Sequence, residues 1–152
     1  MQNLQIKDRL AKLLAGENLI VEHRQVSTAS FDIEQRILTL PMWVMDSSSA
    51  YDMLIGHEVG HALYTPVYEL DQFVTNKGNY KNGKYVDVNY AHVNIIEDIR
   101  IERILQKKFP GFRKTFKKGY ADLHDMDFFS IKDRDVDKMS FMDRVNIYFK
   151  LG

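Results

Sequence analysis

The chain contains no cysteine, and this absence excludes disulfide bonds and thiolate metal sites while fitting a reducing compartment. It also has no net charge, because 21 basic residues balance 21 acidic ones. Nucleic acid and anionic membrane surfaces are therefore not expected as partners. No apolar run approaches the roughly 20 residues of a transmembrane helix. Residues 1–7 lack the basic-then-apolar pattern of a signal peptide, so we expect a cytoplasmic protein.

The composition is otherwise ordinary for a soluble globular chain. Apolar residues make up 45% and charged residues 28% of the 152 residues. This length predicts a single domain over residues 1–152 with a sizeable core, and the N-terminal part of a longer protein is the alternative.

The most informative stretch is residues 56–63, which read Gly-His-Glu-Val-Gly-His-Ala-Leu. On a helix, residues four apart share a face, with Cβ atoms about 5–6 Å apart. His57 and His61 can therefore each offer a ring nitrogen to one Zn²⁺. Glu58 is rotated by about 100° from His57, where it can hold a water without binding the metal. The stretch predicts two zinc ligands and a general base, and the alternative is a buried helix whose histidines have other partners.

Hydrophobic periodicity and turn residues predict the elements around this motif. We expect an α+β fold, in which a small antiparallel sheet packs on the motif helix and on a second, buried helix that carries a glutamate. The predicted helices cover residues 3–15, about 50–64 and 89–108, with a last helix opening at Ser140, and the predicted strands cover residues 19–23, 29–33 and 36–40. Asn82-Gly83 suggests a hairpin within the loop over residues 76–87.

The helix over residues 89–108 is apolar around nearly its whole circumference, which predicts that it is buried. By helical phase, Glu97 falls among its isoleucines, whereas Asp98 and Glu102 share the one polar sector. A carboxylate buried among apolar residues needs a partner, and a metal ion is such a partner. Glu97 is therefore the candidate third ligand, and a buried ion pair with Arg100 or Arg103 is the alternative.

Together, the H-E-x-x-H stretch and the glutamate on the following helix resemble zincin metallopeptidases of the gluzincin type. In that family, two histidines and a downstream glutamate bind zinc, and the motif glutamate is the base. The resemblance implies Zn²⁺ as the cofactor, held by His57, His61 and Glu97, and a peptide or protein as the substrate. It also implies that a strand at the edge of the sheet pairs with the substrate, and residues 36–40 would occupy that place.

Residues 94–102, Asn-Ile-Ile-Glu-Asp-Ile-Arg-Ile-Glu, carry a more specific similarity. They resemble a block in zincin-like domains that precede von Willebrand factor A modules, in cobaltochelatase-subunit-like proteins and in proteins of large tailed phages. The resemblance covers about residues 36–120. It makes a virion the alternative to a free cytoplasmic location.

Two departures from related patterns narrow this resemblance. A metzincin would need glycine at position 64 and histidine at position 67, where this chain has Tyr64 and Val67. Thermolysin-like enzymes carry an acidic residue four positions after the ligand glutamate, but Ile101 stands there. The residue that orients the histidines is therefore left open, with Asp98 and Glu102 as candidates.

These residues predict a zinc-dependent peptidase. Glu58 would take the proton of a zinc-activated water and deliver it to the leaving amine. An oxyanion donor is also needed, and Tyr120 and His124 are the nearest candidates after the second helix. The alternative is a non-catalytic, zinc-binding assembly module of a virion or a chelatase-like complex. Glu58 argues against that alternative, because a structural zinc site needs ligands and no base.

Overall fold

The computed structural model describes residues 4–75, 80–81, 84–85 and 89–152. Over these residues the fold is α+β, as predicted, with a small sheet and two short 3-10 helices, Met42–Asp46 and Val136–Lys138. The helices are α1 (Leu4–Ala15), α2 (Ser48–Tyr64), α3 (Val67–Thr75), α4 (Tyr90–Lys108), α5 (Phe112–Asp125) and α6 (Phe141–Leu151). The strands are β1 (Ile20–Arg24), β2 (Ser30–Asp32), β3 (Ile37–Pro41), β4 (Tyr80–Lys81) and β5 (Lys84–Tyr85). Within the described ranges, no helix is long and apolar enough to cross a membrane.

Helix α2, which carries the motif, lies at the centre of the fold. It packs against α1, α4 and α5 and against strands β2 and β3. Its start is fixed by Ser47, whose hydroxyl accepts a hydrogen bond from the Ala50 amide and donates one to Asp122 on α5 at 2.6 Å. Tyr51, Ile55 and Val59 are fully buried on this helix. The two histidines are therefore carried by a helix whose opposite face is firmly packed in the core.

The three-stranded sheet is mixed, so the predicted antiparallel sheet is wrong in part. Its order is β1-β3-β2, with β2 antiparallel and β1 parallel to β3. A tight turn joins β2 to β3, in which Asp32 accepts a hydrogen bond from the Gln35 amide and Arg36 has a φ of 56°. β1 pairs with β3 on the side away from β2, from Ile20 opposite Ile37 to Arg24 opposite Pro41. The predicted hairpin exists as the antiparallel pair β4–β5, although Asn82 and Gly83 lie outside the described residues.

The close approach of α5 to α2 depends on Gly119. A Cβ atom at Gly119 would lie 2.4 Å from the Cβ of Met53 and 2.8 Å from the carbonyl oxygen of Ser49. Neither atom is the free end of a flexible side chain, so α5 would have to move away from α2. Gly119 therefore sets the distance between the two helices that make the most extensive helix–helix contact.

We expect Gly119→Ala to lower the free energy of unfolding by about 1–3 kcal/mol, because overpacking of a tight contact costs that much. Gly111→Ala is the matched control, because nothing lies within 4 Å of a Cβ at Gly111 and its φ of −59° suits alanine. Urea unfolding of both variants measures the difference. Equal stability of the two variants would show that the α2–α5 contact can relax without cost.

Candidate metal centre

Three side chains from two helices converge beside the sheet. His57 and His61 of α2 and Asp98 of α4 each offer one ligand atom, and these atoms all lie within 4.8 Å of one another. The Asp98 Oδ1 atom is 3.2 Å from Nε2 of His61 and 3.7 Å from Nε2 of His57. The predicted pair of histidines is thus brought together on one face of α2, and a carboxylate from α4 faces both.

The second ring nitrogen of His57, Nδ1, is hydrogen-bonded to Glu102. Nδ1 of His57 lies 2.8 Å from Oε1 of Glu102, whose side chain is fully buried. A carboxylate only accepts hydrogen bonds, so Nδ1 carries the proton and donates it. Tyr120 donates its hydroxyl proton to the same carboxylate. Nδ1 is therefore occupied, and Nε2 of His57 is the nitrogen that faces Asp98.

The second ring nitrogen of His61 is also hydrogen-bonded, in this case to the hydroxyl group of Thr65. Thr65 donates its single hydroxyl proton to Glu97 Oε1 at 2.7 Å. The Thr65 oxygen therefore accepts from Nδ1 of His61, which lies 2.9 Å away. Nδ1 of His61 is thus the protonated nitrogen, and its Nε2 carries a lone pair. Each histidine is held by a carboxylate, directly for His57 and through Thr65 for His61.

This hydrogen-bonding pattern fits a cation. In the neutral histidines, both Nε2 atoms present lone pairs towards the negatively charged Asp98 Oδ1. Three acceptors that face one another repel unless a proton or a metal ion lies between them. Metal-binding histidines commonly donate their other N–H to a carboxylate in the way seen at His57. The donor set, two imidazoles and a carboxylate, suits Zn²⁺.

Glu97, predicted as the third ligand, lies outside the group formed by His57, His61 and Asp98. Its carboxylate forms a two-pronged ion pair with Arg100, with both nitrogen–oxygen distances at 2.7 Å, and accepts from Thr65. The same guanidinium donates to the carbonyl oxygen of Tyr64 at the end of α2. The ion-pair alternative for Glu97 is therefore confirmed. Through its hydrogen bond with Thr65, Glu97 also helps to hold His61 in place.

The rotation of α4 explains this difference from the prediction. Its buried residues are Glu97, Asp98, Ile101, Glu102 and Leu105, so the polar sector faces α2. The prediction that α4 is buried all round is wrong, because Ile96 is 54% exposed. Gly60 permits the close approach, since a Cβ there would lie 2.7 Å from Cδ1 of Ile101. The histidines of α2 supply the partners that the buried carboxylates need.

One sequence signal does point to Asp98. Thermolysin-like enzymes carry an acidic residue four positions after the ligand glutamate, and counted from Glu97 that position holds Ile101. Glu102 stands four positions after Asp98, and it bonds to His57 as an orienting carboxylate would. Helical phase places Asp98 and Glu102 in the polar sector of the helix, and it therefore favours Glu97 over this pair when the sequence is read alone.

Burial and neighbouring charge set the protonation of the site. Burial raises the pKa of Glu58, more than the positive charges of His57 and His61 lower it. Burial by itself would lower the pKa of His57, but its hydrogen bond to Glu102 and the nearby carboxylates raise that pKa to about 9. Glu58 is 7% exposed and lines the cleft beside the two histidines, and its role as a general base stays a prediction.

The two candidate oxyanion donors lie one helical turn apart on α5. Tyr120 lines the cleft, and burial, reinforced by the charge of Glu102, raises the pKa of its hydroxyl well above the usual value. The hydroxyl therefore keeps its proton, which it donates to Glu102. His124 is not among the described residues that line the cleft. The oxyanion role of either residue stays a prediction.

The three converging side chains open into a cleft of about 540 Å³. One wall is formed by residues 28–31 with Ile33, another by the motif helix, and a third by α4 and α5. Strand β2 is at the edge of the three-stranded sheet, whereas β3 is hydrogen-bonded on both sides. The prediction that residues 36–40 form the edge strand is therefore wrong, and β2 takes that place beside the cleft.

In the comparisons with known proteins, the chain matched no protein family model, no curated protein and no solved structure.

Proposed function

We propose that this protein is a zinc-dependent peptidase. The observation that carries the proposal is the convergence of two histidine Nε2 atoms and one Asp98 oxygen in a cleft that also contains a buried glutamate, Glu58. Each histidine has its Nδ1 atom bonded to a partner, Glu102 or Thr65, so that Nε2 is the nitrogen directed towards Asp98. A structural site would need only the ligands, so Glu58 favours catalysis over a purely structural role.

The residues that would hold the metal are His57, His61 and Asp98. Three protein ligands leave one of the four positions preferred by zinc open, as a catalytic site requires. Glu102 and Thr65 would keep the two imidazoles in the orientation needed for binding. With no cysteine in the chain, the site is built from nitrogen and oxygen ligands alone.

The chemistry follows from the positions of these groups. A bound Zn²⁺ would act as a Lewis acid on the scissile carbonyl and lower the pKa of a water molecule at the site. Glu58 takes the proton of the attacking water and then delivers it to the leaving amine. Its burial favours the protonated form between these two transfers, because burial raises its pKa. The substrate would lie along β2, where Ser30 and Phe31 line the cleft.

A peptide-library assay tests this function directly. Wild-type protein loaded with zinc is expected to hydrolyse at least one class of peptide, to stop when a chelator is added, and to recover when zinc is restored. Cleavage that survives complete removal of the metal would contradict the proposal. Zinc binding without hydrolysis of any peptide would instead favour the non-catalytic assembly module.

The raised pKa of His57 makes metal affinity depend on pH. Zinc must displace a proton from His57 at any pH below about 9. We therefore expect the apparent affinity for zinc to rise by about tenfold per pH unit between pH 7 and 9. Competition titrations with a chromophoric chelator of known pH dependence measure this slope. Glu102→Gln removes the negative charge that raises the pKa of His57. In this variant we expect the apparent affinity for zinc to stop rising closer to pH 7.

The same pKa shift acts on the stability of the metal-free protein in the opposite direction, so that this stability falls as the pH rises. Because the pKa of His57 is higher in the folded protein than its ordinary value of 6.5, its protonation stabilises the metal-free fold. That contribution is complete below pH 6.5 and is lost as the pH rises through about 9. An affinity that is flat above pH 7, together with a metal-free stability that does not fall in this range, would contradict the assignment of the His57–Glu102 pair.

A further inference from the structure

A lysine from the C-terminal helix reaches the metal centre from the side opposite the histidines. Lys150, on α6, places its Nζ atom 3.3 Å from Oδ2 of Asp98. Its side chain is only 13% exposed, and Nζ lies 5.7 Å from the centre of the Tyr120 ring. Among the described residues that line the cleft, Lys150 is the only lysine or arginine.

The two carboxylate oxygens of Asp98 face different partners. Oδ1 faces the Nε2 atoms of both histidines, at 3.2 and 3.7 Å, whereas Oδ2 faces Lys150. A carboxylate without such a partner can rotate and offer both oxygens to a metal. The ion pair with Lys150 opposes that rotation.

We propose that Lys150 is a positioning residue that makes Asp98 a one-oxygen metal ligand. The inference rests on the proposed metal site and concerns how that site is kept open. A second bond from Asp98 would use the position that water or a substrate carbonyl needs. By holding Oδ2, Lys150 keeps this position available.

Charge balance gives a second reason for a buried lysine here. Glu58, Asp98 and Glu102 bring three carboxylates to the site, while Glu97 is already paired with Arg100. Lys150 places a positive charge beside this group of carboxylates. Burying lysine without a partner would be costly, so the ion pair with Asp98 accounts for its position.

In this proposal, helix α6 serves to hold Lys150 beside Asp98. This helix packs against α4 and α5, and its start is capped by Ser140, whose hydroxyl accepts from the Asp143 amide. The cap and the packing together hold Lys150 in the cleft. The metal centre thus depends on a residue about 50 positions beyond Asp98, for which no motif spacing gives a signal.

Metal affinity and cobalt spectroscopy of three variants test this proposal. Lys150→Met is expected to weaken zinc binding by about 10–100-fold, as the loss of a partner behind a ligand typically does. Its Co²⁺ complex is expected to show weaker visible absorption, because a second oxygen of Asp98 raises the coordination number. Lys150→Arg should restore most of the affinity and the wild-type spectrum. Arg144→Met, an exposed position on α6, is the matched control and should behave like wild type.

Two results separate this inference from the proposed function. Zinc affinity and a cobalt spectrum equal to wild type in Lys150→Met would overturn the role of Lys150 and leave the metal site standing. Absence of metal binding by the wild type would overturn the proposed function itself. If urea unfolding shows that Lys150→Met does not fold, Lys150→Gln carries the same two readouts, and wild-type values in that variant would also overturn the role.

Discussion

Glu58→Gln is expected to lower kcat for peptide hydrolysis by about 10²–10⁴-fold, the range that general acid–base catalysis typically supplies. Glutamine keeps the size of the side chain but cannot take up a proton at neutral pH. Glu58 is not part of the group that would hold the metal, so zinc affinity should change little. Steady-state kinetics and a zinc titration on the same preparation measure both quantities.

Glu69→Gln, on the exposed surface of α3, serves as the control for the general effect of removing a carboxylate. It is expected to keep both activity and zinc. Equal turnover in Glu58→Gln and wild type would remove Glu58 from the mechanism. Loss of zinc together with activity in Glu58→Gln would assign that residue to the metal site instead.

The second large effect concerns Asp98. Loss of a residue that hydrogen-bonds to a metal ligand typically weakens metal binding by about 10–100-fold. Asp98→Ala is expected to weaken zinc binding by more than this, because it removes a proposed ligand itself. Glu97→Gln, the adjacent carboxylate on α4, should stay within that range, since Glu97 acts on His61 only through Thr65. Chelator-competition titrations of the two variants at one pH give the comparison.

The opposite ranking of these two variants is equally informative. If Glu97→Gln strips the metal while Asp98→Ala retains it, Glu97 is the third ligand, as the sequence alone predicted. Helix α4 would then have to turn by about 100° from the orientation described here. The ion pair between Glu97 and Arg100 would also have to break.

The motif helix could be predicted because its signals are local. His57 and His61 are spaced for one helical face, Ser47-Ser48-Ser49 offers a cap, and Thr65-Pro66 is a stop signal. In the structure Ser47 is the cap and the helix ends at Tyr64. The carbonyl oxygen of Pro66 also accepts the first hydrogen bond of α3, from the Leu70 amide. One proline thus ends one helix and opens the next, and α3 was not predicted.

Helix α5 and the sheet order depend on contacts that the sequence does not display. In α5, Phe116, Tyr120 and Leu123 form the buried stripe, but Gly119 interrupts it as a helix breaker would. Gly119 is there because Met53 and Ser49 leave no room for a side chain. The parallel pairing of β1 with β3 joins strands that are not consecutive, which hydrophobic alternation cannot reveal.

The choice between Glu97 and Asp98 depends on the rotation of α4, which the sequence does not show either. Helical phase fixes which residues share a face, but not which face meets the neighbouring helix. The prediction assumed that apolar residues face inward, whereas Asp98 and Glu102 are buried because the histidines of α2 are their partners. A buried functional site breaks the rule that polar sectors face solvent.

The most direct test of the whole account is the metal content of the wild-type protein. Elemental analysis after zinc loading and dialysis is expected to give about one zinc per chain, and His57→Ala and His61→Ala should each reduce it to background. The same analysis on Glu58→Gln should give the wild-type value. A wild-type protein that retains no divalent metal after loading would contradict the assignment of His57, His61 and Asp98 as a metal centre.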